Sequence, residues 1–174
     1  MAVPVLKKRV RALLLFFIVA LLLSGVTAFP LEWELNLLNQ LVGSSSPVAG
    51  LWPDLAHWIT FVQLGLQDTY RNYPFMAYGT DWLAFAHIVI AIAFWGPFKD
   101  PVRNIWVVEF GMIACVLIIP LAFICGPIRG IPFFWQLLDC SFGVIGIIPL
   151  WLCRNLILRI AKMEQAAPQI VSQV

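Results

Sequence analysis

Three ionisable side chains, His87, Glu109 and Asp139, stand inside long apolar runs of this chain. An imidazole or a carboxylate is costly in hydrocarbon, so each is a functional candidate by default. His87 and Asp139 make the more specific pair. A carboxylate beside an imidazole holds it charged or fixes its tautomer. Such a pair can move a proton on a lipid-soluble substrate or orient a ligand in a cavity. The same two residues could also make a structural hydrogen bond that pins two helices together.

The runs that must position them cover residues 82–98, 105–125 and 132–152, and are 17 to 21 residues long. That length crosses ~30 Å of hydrocarbon. A fourth run, 12–30, follows the basic start Lys7, Lys8, Arg9 and Arg11. The chain has 174 residues, 61% of them hydrophobic and 11% charged. A soluble domain carries about 25% charged residues, so an ordinary water-soluble fold is excluded. The expected fold is an all-α integral membrane protein, a single domain over 1–174 built as a four-transmembrane-helix bundle. A long outer segment would span 31–80, and a polar tail, expected to be disordered, would close the chain at 163–174.

Orientation follows from the bases. Nine of the eleven, all but Arg71 and Arg129, flank the runs on one side. The positive-inside rule assigns that side to the cytoplasm, with both termini there. Trp95, Trp106 and Trp151 fall at the expected inner boundary, and Trp82 and Trp135 at the outer one, as an aromatic belt requires. Residues 7–30 also read as a signal peptide with Val26-Thr27-Ala28 as its cleavage site. In that alternative three spans remain, with their orientation unchanged. Compact loops and a basic start fit a bacterial inner membrane.

Depth places the candidates. His87 lies five residues past Trp82, about 8 Å below the outer boundary, and Asp139 seven past Pro132, about 10 Å below it. Both fall on stripes of small or polar residues that should face the bundle: Thr80, Ala84, His87 and Ala91 on the second span, Gln136, Asp139, Gly143 and Gly146 on the fourth. The third span offers a small-residue seam, Gly111, Cys115, Ala122 and Gly126, of the kind that lets membrane helices approach closely. Pro120 and Pro149 each remove a backbone hydrogen bond and should kink their helices. Glu109 points away from the seam, at the depth of Lys99, Arg103 and Arg154, and is expected to pair with one of these bases. Asp81 opens the second span, either pairing with Arg129 in the outer joint or capping the helix.

The outer segment holds two amphipathic stretches. In 31–42, Glu32, Asn36, Asn39 and Gln40 oppose Leu31, Leu35, Leu38 and Val42. In 54–68, His57, Thr60, Gln63 and Gln67 oppose Trp58, Ile59, Val62 and Leu66. Such helices lie in the interface with the apolar face down and could cap the outer mouth of the bundle. His57 would then face that mouth.

Other chemistries find no support. Cys115, Cys125, Cys140 and Cys153 all fall in spans, form no C-x-x-C and are expected as small buried apolar residues. No metal spacing, nucleotide loop or nucleophile elbow occurs, and no basic stripe suits nucleic acid. No cofactor is expected. A haem between the two histidines is disfavoured because His57 sits in a surface helix.

The order of four spans, both ends cytoplasmic, a helical segment after the first span and a short joint between the third and fourth resembles the EXPERA-domain proteins, the group of the sterol isomerases and the sigma-2 receptor. Asp68 followed by His87, and the proline in the third span, are similar to features of that group. The resemblance implies a cavity for a lipophilic, often cationic ligand, held by acidic and histidine side chains. His87 stands where an acidic residue is common there, and the histidine-and-glutamate set of an isomerase is missing.

The leading expectation is therefore binding of a lipophilic small molecule or lipid by His87, Asp139, Gln136, Asp81 and His57, with Glu109, Arg103, Arg154 and Arg129 in structural ion pairs. A membrane enzyme using the His87–Asp139 pair is the alternative. A transport or accessory subunit, as a homo-oligomer or in a membrane complex, is the third. A monomeric channel is disfavoured, since the third span from Gly111 to Pro120 offers no polar chain.

Overall fold

The structure, a computed structural model, describes residues 2–171. It is helical throughout, with no strand among the described residues: α1 (Val3–Thr27), α2 (Leu31–Val42), α3 (Pro53–Asn72), α4 (Ala77–Ala93), α5 (Trp95–Lys99), α6 (Ile105–Ile128) and α7 (Phe133–Val171). Four segments are long and apolar enough to cross a membrane: Val3–Thr27, Pro74–Lys99, Ile105–Ile128 and Phe133–Ala166. The chain is a multi-pass membrane protein by this measure.

Several boundaries differ from the sequence expectation. The second span begins earlier, because Pro74–Met76 already forms a helical turn that runs into α4. Near its other end it breaks between α4 and α5, at Phe94. Pro97 there lacks the N–H that would continue the ladder. The joint that follows is closed by Asn104, whose Nδ2 donates to the carbonyls of Gly96 at 3.3 Å and Asp100 at 3.0 Å. The fourth helix does not stop at 152 but continues to Val171. From Leu150 onward its apolar residues keep a helical spacing: Leu150, Cys153, Ile157 and Ile160 are all buried. One buried stripe keeps the helix packed beyond 152, while Arg159 and Lys162 stay exposed. The expected polar tail is thus helix as far as Val171, and 172–174 lie outside the described residues.

The contacts divide the chain into two compact units, Met1–Ala20 with Ala91–Val174, and Leu21–Ile90. In the first, the close pairing of α6 with α7 rests on the small residues of both. A Cβ added at Gly143 would run into the carbonyl of Cys115, and one at Gly146 would lie 3.1 Å from the Cys115 Sγ. One at Gly111 would lie 2.7 Å from Phe94 and 3.0 Å from Leu150. Phe94 is fully buried, its ring 4.7 Å from that of Phe17 on α1. Lys7 and Glu164 form an ion pair of 2.8 Å, so the first turns of α1 stand beside the late turns of α7. Both α6 and α7 run on as helices through Pro120 and Pro149.

In the second unit α2 and α3 fold back on one another across Gly43 and the turn at Pro47–Gly50. Their contact is polar. Asn36 Oδ1 accepts from Gln63 Nε2 at 2.5 Å and from Gln67 Nε2 at 2.9 Å. Thr60 donates to Asn39 Oδ1 at 2.7 Å, and its oxygen accepts from the Ser44 N–H at 3.0 Å. The end of α1 meets α4 at Gly25, where an added Cβ would lie 2.9 Å from the Ala84 carbonyl and 3.1 Å from His87 Cβ.

Candidate functional site

The turn joining α6 to α7 builds the most developed site. Gly130 has φ +68, the left-handed region open to glycine. That residue lets the chain reverse, and Ile131 N–H then donates back to the Gly126 carbonyl at 2.9 Å. Gln136, buried at 4% exposure, donates from Nε2 to the Ile131 carbonyl at 2.7 Å. Its side chain fills the space a Cβ at Gly126 would need. Gln136 was expected to line a ligand cavity; here its amide is engaged in fixing the turn, because glycine at 126 brings the two backbones close enough for it to bridge them.

Beside this turn lies a cleft of about 260 Å³. Its walls are apolar, with Ile118, Leu121, Ala122 and Cys125 of α6 on one side. Arg129 of the turn and Asp139 of α7 also border it, though its lining surface is almost wholly apolar. Asp139 is six residues into α7, about 9 Å along it. Neither side chain makes an ion pair or hydrogen bond among the described residues. Arg129, one of the two alternatives for Asp81, borders the same cleft as Asp139. The volume is close to the small end of ligand sites, and the walls are apolar as such sites mostly are.

The remaining candidates stand elsewhere along the chain. His87, on α4, is half-buried, and its Nδ1 lies 2.8 Å from the Leu83 carbonyl. A carbonyl only accepts, so Nδ1 carries a proton and Nε2 is left as the chemically available nitrogen. Asp81 lies in a shallow groove of about 330 Å³ walled by Phe29, Tyr78, Trp82 and Phe85. His57 is exposed on α3. Glu109 takes Arg154 as its partner, Nε donating to Oε1 at 2.8 Å. Of the bases at that depth Lys99 instead lies over the Trp95 ring, 5.7 Å from its centroid. Arg103 donates its backbone N–H to Asp100 Oδ1 at 3.2 Å. Among the described residues no cluster of three or more metal-ligating side chains occurs.

Two functional features escaped the sequence reading. That Arg129 and Asp139 border one cleft was hidden because the two belong to different elements, a joint and a span. Its signal was the brevity of the turn, which leaves Arg129 only ten residues before Asp139. Cys125 is exposed and lines the cleft, whereas the other three cysteines are buried as expected. No family model matches the chain, and no curated protein or solved structure does either.

Proposed function

We propose that the protein binds a lipophilic small molecule or lipid in the cleft between α6 and α7. The observation that carries this reading is a cleft of about 260 Å³, almost wholly apolar in its lining, between two helices long and apolar enough to cross a membrane. Ile118, Leu121 and Ala122 give an apolar chain or ring a wall to lie on. Four apolar spans put such molecules at high local concentration. In this reading the basic side of the helices faces the cytoplasm of a bacterial-type inner membrane, and the α6–α7 turn faces out. The topological resemblance to EXPERA-domain proteins fits the same kind of ligand. Membrane lipids are then both the surroundings and the first candidates for the occupant.

The test is native mass spectrometry of the whole chain released from mild detergent. The expected result is a discrete adduct of the mass of a lipid or smaller amphiphile. Ala122→Phe, which fills the apolar wall, should remove it. A bare wild-type mass under conditions that preserve known lipid complexes, or an adduct unchanged in Ala122→Phe, refutes the assignment.

A further inference from the structure

We infer that the basic end of the unit formed by Met1–Ala20 and Ala91–Val174 is a binding surface for anionic phospholipids, centred on Arg11 and Lys99. Nine of the chain's eleven bases belong to this end, against three acids, Asp100, Glu109 and Glu164. Three contacts gather them. Lys7 pairs with Glu164 at 2.8 Å and joins α1 to α7. Arg154 pairs with Glu109 at 2.8 Å and joins α7 to α6. The Arg11 Nε–H donates to the Phe98 carbonyl at 3.3 Å and joins α1 to α5. These ion pairs take up two of the bases, Lys7 and Arg154. The other seven are all exposed and have no carboxylate partner among the described residues. Like charges gathered at one end repel one another, so this surface calls for anions from outside the chain.

The setting decides which anion. The Arg11 guanidinium lies 6.0 Å from the centroid of the Phe98 ring, and Lys99 Nζ 5.7 Å from that of Trp95. The two rings stack on each other, 5.0 Å apart. Two cations therefore flank a pair of aromatic rings at the end of a span, where such rings sit at headgroup level. With its Nε–H engaged by Phe98, Arg11 keeps its terminal N–H groups for a phosphate, whose oxygens a guanidinium takes two at a time. Trp95 and Trp106 are both exposed and give the start of an acyl chain an apolar edge. A phosphodiester carried on a lipid meets cation and ring together. A zwitterionic headgroup brings its own ammonium and neutralises less of the charge. Clusters of bases beside a span attract anionic lipid in this way. The surface stands at the far end of α6 and α7 from the turn that borders the cleft, so it does not depend on the cleft being filled.

The experiment titrates the full chain in non-ionic detergent with phosphatidylglycerol and phosphatidylcholine of identical acyl chains, read by native mass spectrometry. Phosphatidylglycerol should bind at least about tenfold more tightly at low salt, since each base near a headgroup is worth about fivefold. The preference should largely vanish in ~1 M ammonium acetate, where the Debye length falls to ~3 Å. Arg11→Gln and Lys99→Gln should each weaken phosphatidylglycerol about fivefold and leave phosphatidylcholine unchanged. Both residues are exposed, so both variants are expected to fold. Arg71→Gln removes the same charge in the other unit and should change neither lipid. Ala122→Phe should leave the preference in place. Equal binding of the two lipids by the unaltered chain overturns the inference. An equal loss in Arg71→Gln makes the effect one of net charge and overturns it too. Loss of the preference in Ala122→Phe moves the anionic lipid to the cleft, which spares the cleft reading and removes this surface. Displacement of phosphatidylglycerol by soluble polyglutamate assigns the surface to an acidic protein segment and overturns the lipid.

Discussion

Asn36 and Gln63 hold their side-chain amides 2.5 Å apart, the oxygen of one accepting from the nitrogen of the other. Gln67 donates to the same oxygen. The polar stripes of α2 and α3, each of which looks like a water-facing surface when read alone, are turned on one another. Removing the shared acceptor leaves two amide donors without their partner, a loss of about 1–3 kcal/mol for part-buried groups. Asn36→Leu should therefore lower stability by that order in denaturant unfolding of the micellar protein. Gln40→Leu, at an exposed position of the same helix, should change it little. Equal effects would mean that the amide seam adds nothing.

With the polar stripes used internally, α2 presents Trp33, Leu37 and Leu41 outward, 64%, 42% and 59% exposed. These three recur every four residues and form one stripe. α2 begins four residues after the end of α1, about 14 Å of chain at most, so the stripe cannot stand far from the bilayer boundary. A spin label on Leu37→Cys in liposomes should be relaxed more by oxygen than by a soluble nickel chelate, and one on Glu32→Cys the reverse. The same ordering at both positions would put the whole hairpin in water or the whole hairpin in lipid.

The four long helices were legible because length and hydropathy alone determine them. The α6–α7 contact was legible too, since Gly111, Cys115 and Gly126 on one helix and Gly143 and Gly146 on the other are the residues that permit close approach, and all five lie in tight contacts. What was not legible is which face of an amphipathic element meets its neighbour. Leu31, Leu35, Leu38 and Val42 read as the apolar face of α2, yet Trp33, Leu37 and Leu41 are equally apolar and lie on another side. Only the positions of Gln63 and Gln67 decide which side meets α3. Gln136 and Asp139 share a stripe three residues apart, yet one is consumed by the turn and the other opens into the cleft. The difference comes from Gly126 and Gly130, which set where the two backbones meet.

The glycines of α6 and α7 make a prediction with an internal control of opposite sign. At Gly143 an added Cβ meets the Cys115 carbonyl, which is backbone and cannot swing away. Gly143→Ala must move one helix off the other and should cost about 1–3 kcal/mol. At Gly65, inside α3, nothing lies within 4 Å of an added Cβ. Gly65→Ala should stabilise by about 0.5–1 kcal/mol, because the unfolded chain loses freedom it no longer has to give up on folding. Unfolding of both variants in the same detergent compares them directly. Two losses of similar size would contradict the packing described at Cys115.

Cys125 gives the cleft a reporter that needs no introduced residue. It is exposed and lines the cleft wall, while Cys115, Cys140 and Cys153 are buried. A buried thiol reacts only when the structure opens, so N-ethylmaleimide in detergent should add one label well before the others, faster by at least about tenfold. Peptide mass mapping should place that label on Cys125. A ligand in the cleft covers the thiol, so protein holding its lipid should label more slowly than protein stripped of it by repeated detergent exchange. Ala122→Phe fills the wall one helical turn away and should slow labelling of the stripped protein as well. Fast labelling regardless of lipid and of Ala122→Phe would mean that Cys125 faces the detergent directly and that the cleft holds nothing in contact with α6.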